Sequence, residues 1–144
     1  MKDIVNLRIQ IAPLGFEVDR IIIPAVRMKA DKVWLIAHDN AAEDKAKKYR
    51  QNIEKELKKN GIKTEVVFAN RLRLFPIIKA VTEIIFKERK NNIYVNVATG
   101  SKVHAIGCMM ACMLFDDRER IHPFYAQAEK YPEYDGKKQQ TYGV

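Results

Sequence analysis

Asn92-Ile93-Tyr94-Val95-Asn96-Val97-Ala98-Thr99-Gly100-Ser101-Lys102 joins two different periodicities. Asn92 to Ala98 is rich in β-branched and aromatic residues, the composition of a strand. Lys102 to about Phe115 reads as a helix. The joint between them, Ala98-Thr99-Gly100-Ser101-Lys102, is a short glycine-containing loop. A second joint of this kind lies near the N-terminus, where Pro13-Leu14-Gly15-Phe16-Glu17-Val18-Asp19-Arg20 follows a strand over Ile4–Ala12 and opens a helix over Asp19–Lys29. Glycine lets a ligand approach the backbone closely, and a helix N-terminus offers free N–H groups and a partial positive charge. If the sheet is parallel with its first and fourth strands adjacent, both loops flank the crevice where such folds bind ligands. A phosphate-bearing ligand is the expectation.

The rest of the chain alternates in the same way. Lys32–His38 is a nearly continuous apolar strand, suited to a central position covered on both faces. Asn40 with Glu43 three residues on predicts a capping box for a helix ending at Asn60-Gly61. Its apolar positions Ala42, Ala46, Tyr49, Ile53 and Leu57 form one stripe, so its lysines belong to a solvated face. Ile62–Ala69 is the third strand, Asn70 a possible cap, and Leu72–Arg89 the third helix. Ile121–Ala128 is the fifth strand. Pro24 inside the first helix requires a late start or a kink. Alternation of this sort predicts an α/β fold of three layers, Rossmann-like, with a mostly parallel sheet of five or six strands. One domain over 1–129 and a polar tail over 130–144 are expected.

The chain has 144 residues, 26 basic and 18 acidic, for a net charge of +8. Solubility or heat adaptation accounts for the bulk of that charge. An anionic partner is implied only where cations gather. Arg71, Arg73 and Lys102 stand at helix starts and Arg20 in the first loop, positions where the helix dipole disfavours cations unless an anion joins them. Asn96, at a strand end, either reaches toward a ligand or satisfies local backbone groups. Glu17 and Asp19 are possible bases, but acids there usually stabilise a helix start. Neither a phosphate loop nor Gly-x-Gly-x-x-Gly is present, so nucleotide hydrolysis and dinucleotide chemistry are unsupported and no cofactor is expected. His104, Cys108 and Cys112 make a helical stripe that reads as core thiols rather than a metal site. With no signal peptide or span pattern, a cytoplasmic chain that does not engage membranes is expected.

The fourth helix is apolar or small nearly all round, so its outer side also needs cover. A second copy would supply it, with Ala105, Gly107 and Ala111 allowing close approach.

The two loops, with the run from Pro13 to Val33 and the stretch Asn96–Lys102, resemble those of the CRISPR-associated Rossmann-fold family, in particular the sensor domains of archaeal winged-helix regulators. The resemblance implies a homodimer that binds a cyclic oligoadenylate across its two-fold axis, through Leu14, Gly15 and Phe16 and through Thr99, Gly100, Ser101 and Lys102. It also implies regulation of transcription or CRISPR defence, with DNA met only through an attached or partner winged helix. Many relatives carry Gly-Gly-Thr in the second loop, where this chain has Ala98 and then Ser101. Two alternatives stand beside the sensor. One is a metal-independent ring nuclease using Ser101 and Lys102. The other is a direct nucleic-acid binder, which the lack of aromatics among the basic residues disfavours.

Overall fold

In the computed structural model, which describes residues 6–40 and 44–127, strands and helices alternate strictly: β1 (Arg8–Pro13), α1 (Asp19–Arg27), β2 (Lys32–Ala37), α2 (Lys47–Lys59), β3 (Lys63–Phe68), α3 (Leu74–Lys87), β4 (Asn92–Asn96), α4 (Lys102–Phe115) and β5 (Ile121–Phe124). The sheet has five strands in the order β3-β2-β1-β4-β5, and every pairing is parallel. The first and fourth strands are therefore neighbours, with Ile11 paired to Val95. The chain reverses its direction of winding between them, so the loops after β1 and β4 diverge around a crevice.

Strand side chains alternate between faces, and two cores result. Ile9, Ile11, Trp34, Ile36, Ile93 and Val95 meet α3 and α4 on one face. Ala12, Val33, Leu35 and Ala37 meet Ile21 and Ala25 of α1 and Ile53 and Leu57 of α2 on the other. Each large side chain buried in this way contributes about 1.5–3 kcal/mol. Cys108 and Cys112 are buried in the first core, where burial pushes their thiols up to about 12 and about 11. They remain protonated, as packed thiols do.

Several boundaries differ from the sequence expectation. The second helix begins at Lys47, capped by no side chain, rather than at Asn40. Asp44 accepts the Ala46 N–H at 3.1 Å, which folds this stretch into a turn ahead of the helix. Ala42 and Glu43 lie outside the described residues. Asn70 does not cap α3; it lies three residues before the N-cap, Arg73, and its side chain accepts the Leu72 N–H in a turn. The fifth strand ends at Phe124, and Ala128 and the 130–144 tail lie outside the described residues, as do the first residues of the expected β1. The small residues of α4 serve a different neighbour from the one expected. Gly107 and Ala111 are buried, and a Cβ on Gly107 would lie 2.8 Å from Ile77 of α3. They bring α3 and α4 of the same chain together.

Pro24 sits inside α1 without breaking it. Having no N–H, it leaves the Arg20 carbonyl, one turn earlier, without its helical partner. Asn96 supplies one, its Nδ2 donating to that carbonyl at 2.9 Å, while its Oδ1 accepts the Ala98 N–H at 2.9 Å. One buried amide thus repairs the helix and shapes the loop after β4. Asn96→Ala is expected to cost about 1–3 kcal/mol, since it strands a buried carbonyl. Pro24→Ala restores the missing donor, so in a double-mutant cycle read by denaturant melts it should reduce that loss by about 0.5 kcal/mol or more. Strict additivity would remove the assignment.

Candidate functional site

The loops after β1 and β4 meet backbone to backbone. A Cβ built on Gly15 would lie 3.2 Å from the Cα and the N of Gly100. Gly100 has φ of +76°, and a Cβ there would strike His104 Nδ1 at 2.5 Å and Pro13 Cβ at 2.9 Å. Gly100 therefore excludes any side chain and requires the left-handed region that glycine tolerates, whereas a Cβ on Gly15 would press on the Gly100 backbone and push the two loops apart. Their contact forms the floor of a cleft of about 430 Å³ at the C-terminal edge of the sheet. Its walls come from the β1 loop (Leu14, Phe16, Glu17), from His38 after β2, from the Asp44–Ala46 turn, from Arg71 before α3, and from Ser101 and His104 of α4.

The α4 start is a capping box. Ser101 Oγ accepts the His104 N–H at 3.2 Å, and His104 Nδ1 accepts the Ser101 N–H at 3.0 Å. His104 is only 3% exposed. Burial, then the charges of Arg71 and His38 nearby, push its imidazole down to about 4, so it is neutral at ordinary pH. In the unfolded chain it titrates near 6.5. Between those values the unfolded state binds more protons, so stability rises with pH there and is lost as pH falls from about 6.5 to about 4. Acid melts should show a loss of up to about 3 kcal/mol across that window, flattened in His104→Gln.

His38 is held beside it, its Nδ1 accepting the Arg71 N–H at 3.1 Å. Arg71 and Lys45 bring positive charge to the cleft, and Glu17 and Asp44 bring negative charge. Burial raises the Glu17 carboxyl above its usual range, and Arg20, with its Nη1 at 3.6 Å, offsets part of this.

The structure sorts the residues singled out in the sequence. Leu14, Gly15, Phe16, Gly100 and Ser101 line the cleft. Phe16 is 61% exposed and stands edge-on to Tyr49 of α2, 5.4 Å between ring centres. Thr99 is buried, its hydroxyl without a hydrogen-bond partner among the described residues. Arg20 is buried behind the loops, donating to the Ala98 carbonyl at 3.4 Å and lying over the Tyr125 ring. Asn96, fully buried, is held by backbone partners as described above. These two position the loops rather than line the cleft. Lys102 is exposed in the first turn of α4, outside the cleft wall. Arg73 is exposed, whereas its neighbour Arg71 lines the cleft.

His38, Lys45 and Asp44 carried no signal in the sequence, and His104 read there as core. Its spacing to Ser101 matches a capping box only if histidine is allowed the acceptor role of Glu or Gln. Among the described residues no three or more His, Cys, Asp and Glu side chains gather to hold a metal ion, and no helix is long and apolar enough to cross a membrane.

Known proteins are similar to this chain in sequence or in fold. The uncharacterized protein MJ1513 of Methanocaldococcus jannaschii is 34% identical over 128 residues, which are 85% of this chain and 38% of that protein. The chain thus spans well under half the length of that relative. Can2 from Sulfobacillus thermosulfidooxidans, solved with cyclic tetra-adenylate, superposes with a TM-score of 0.70 at 14% identity, over 94% of this chain and 36% of its own. Csm6 from Enterococcus italicus, bound to cyclic hexa-2′-fluoro-hexa-dAMP, does so with a TM-score of 0.64 at 11% identity, over 90% of this chain and 36% of its own. At such identities the likeness is one of fold, and that fold is the one the two loops resemble. Residues 8–131 match the family described as HFX_2341_N:-like, N-terminal. The chain belongs to that family and has the Rossmann-like fold of those two structures.

Proposed function

We propose that this chain is a sensor domain that binds a cyclic oligoadenylate in the cleft between its β1 and β4 loops and does so as a homodimer. The observation that carries this reading is the contact of Gly15 with Gly100 at the floor of the cleft. Two glycines that bare the backbone at the floor, a helix N-terminus and the cations Lys45 and Arg71 together suit a phosphate-rich ligand. The pairing follows from α4. Its outward residues Ile106, Met109, Met110, Met113 and Leu114 are 36–72% exposed and fall three or four apart, a stripe that a second copy would cover. Lys102 leads the same face one turn earlier, so a two-fold axis along the stripe would bring both copies of Lys102 toward one ligand. Bound ligand would then regulate transcription or defence through a DNA-binding or effector part, attached or separate, and the chain itself would work in the cytoplasm.

Binding without turnover is favoured over ring cleavage. Ser101 Oγ is engaged with His104 in the cap, so it is not free to orient an attacking group on a scissile phosphate. The test is calorimetric titration with cyclic tri-, tetra- and hexa-adenylate, followed by chromatography of the same samples. Saturable binding of intact ligand that weakens steeply with salt supports the sensor. Linear products would make the protein a ring nuclease, and no binding of any ring would remove the reading.

A further inference from the structure

Ser101-Lys102-Val103-His104 is an unusual helix start. A capping box ordinarily places Glu or Gln three residues after the Ser, and a negative charge in a first turn is itself favourable. Here a buried histidine does the work instead. Its Nδ1 is the acceptor of the Ser101 N–H, at 3.0 Å, and lies 3.1 Å from Ser101 Oγ. With Nδ1 accepting, the neutral ring carries its proton on Nε2. Nε2 has no hydrogen-bond partner among the described residues, although the side chain is 3% exposed and its ring forms part of the cleft wall. A glutamate would complete the same cap and leave no such donor unmatched. Beside the ring, the first-turn N–H groups of Lys102 and Val103 have no acceptor within the helix.

We propose that His104 is the donor that reads the ligand: its Nε2–H and the first-turn N–H groups of α4 form a seat for one anionic phosphate oxygen. The identity of the ligand rests on the sensor reading; the seat itself does not. Glutamate is excluded because its charge would oppose the anion. Histidine caps the helix with one nitrogen and faces the ligand with the other. Burial keeps the ring neutral well below pH 6, so the donor does not depend on protonation. Gly100 serves the same end, since a Cβ there would displace the ring.

Two variants separate cap from seat. Gln at position 104 retains both an acceptor for Ser101 and a donor for the ligand, whereas Glu retains only the acceptor. His104→Gln should bind cyclic tetra- or hexa-adenylate within about tenfold of the native chain, and His104→Glu at least about 100-fold more weakly while giving a native circular dichroism spectrum. Nitrogen NMR of the native ring supplies a readout that does not depend on either variant folding. The Nε2–H tautomer is expected without ligand, and its proton resonance should shift as ligand is added. Equal binding by the Glu variant, an Nδ1–H tautomer, or a resonance unmoved by bound ligand would each overturn the seat. If neither ring binds the native chain, sodium pyrophosphate becomes the probe. A shift of the His104 resonance with pyrophosphate keeps the seat and discards the cyclic oligoadenylate; no shift discards both.

Discussion

Gly100→Ala is expected to destabilise the protein by about 2–5 kcal/mol and to abolish ligand binding. The first part of the loss is conformational, because φ of +76° costs a residue with a Cβ about 1–2 kcal/mol. The second is steric. The added carbon would sit 2.5 Å from His104 Nδ1 and 2.9 Å from Pro13 Cβ, and forcing a methyl into a packed site typically costs a further 1–3 kcal/mol, as an order-of-magnitude estimate. The His104 ring cannot swing away freely, since it is held in the cap by Ser101. Gly61→Ala is the matched control. It has nearly the same φ, +73°, but nothing within 4 Å of the new carbon, so it should show the conformational cost of about 1–2 kcal/mol alone. Gly15→Ala has no such φ penalty and meets the Gly100 backbone at 3.2 Å. It should therefore harm binding more than stability, by prising the loops apart. Denaturant melts of the three variants give the ranking, and equal losses at Gly61 and Gly100 would show that the loop contact is not rigid.

The fold was legible in the sequence because its signals are local and repeated. Apolar runs such as Lys32–His38, separated by helical stripes, required a covered parallel sheet, and the two glycine loops required close backbone approach. What escaped the sequence depends on contacts between distant segments. Asn96 satisfying a carbonyl orphaned by Pro24 joins residues 76 apart in sequence, counted from Asn96 to Arg20. The cleft wall draws on four separate loops, so His38, Lys45 and Arg71 converge only once the strand order is known. Asn40 and Glu43 had the spacing of a cap, yet the helix begins at Lys47 because Asp44 forms a competing turn with Ala46. Gly107 and Ala111 were rightly read as close-approach residues, but periodicity alone does not say which neighbour approaches; α3 of the same chain does.

That reassignment sharpens the dimer prediction, because it leaves the larger side chains of α4 as the candidate interface. Met113 is 72% exposed and Leu114 69%, with Ile106 about two turns toward the ligand edge at 53%. Burying such side chains fully against a second copy would supply about 1.5–3 kcal/mol each before the costs of association. In a two-fold pair every residue counts twice. Met113→Lys should therefore place two charges in an apolar contact and weaken association by at least about 100-fold, moving micromolar protein from dimer to monomer in sedimentation. The monomer should stay folded, because Met113 is exposed in the single chain, and its melting temperature should fall only by the part that association contributes. Phe68→Lys is the control: that residue is also exposed, at 57%, but it lies on β3 at the opposite edge of the sheet and should leave the dimer intact. Ligand affinity should fall with the dimer in Met113→Lys and stay unchanged in Phe68→Lys, since only the paired state brings both copies of Lys102 to one ligand. A native chain that sediments as a monomer, or a Met113→Lys variant that loses melting temperature rather than association, would show that the stripe is not a dimer face.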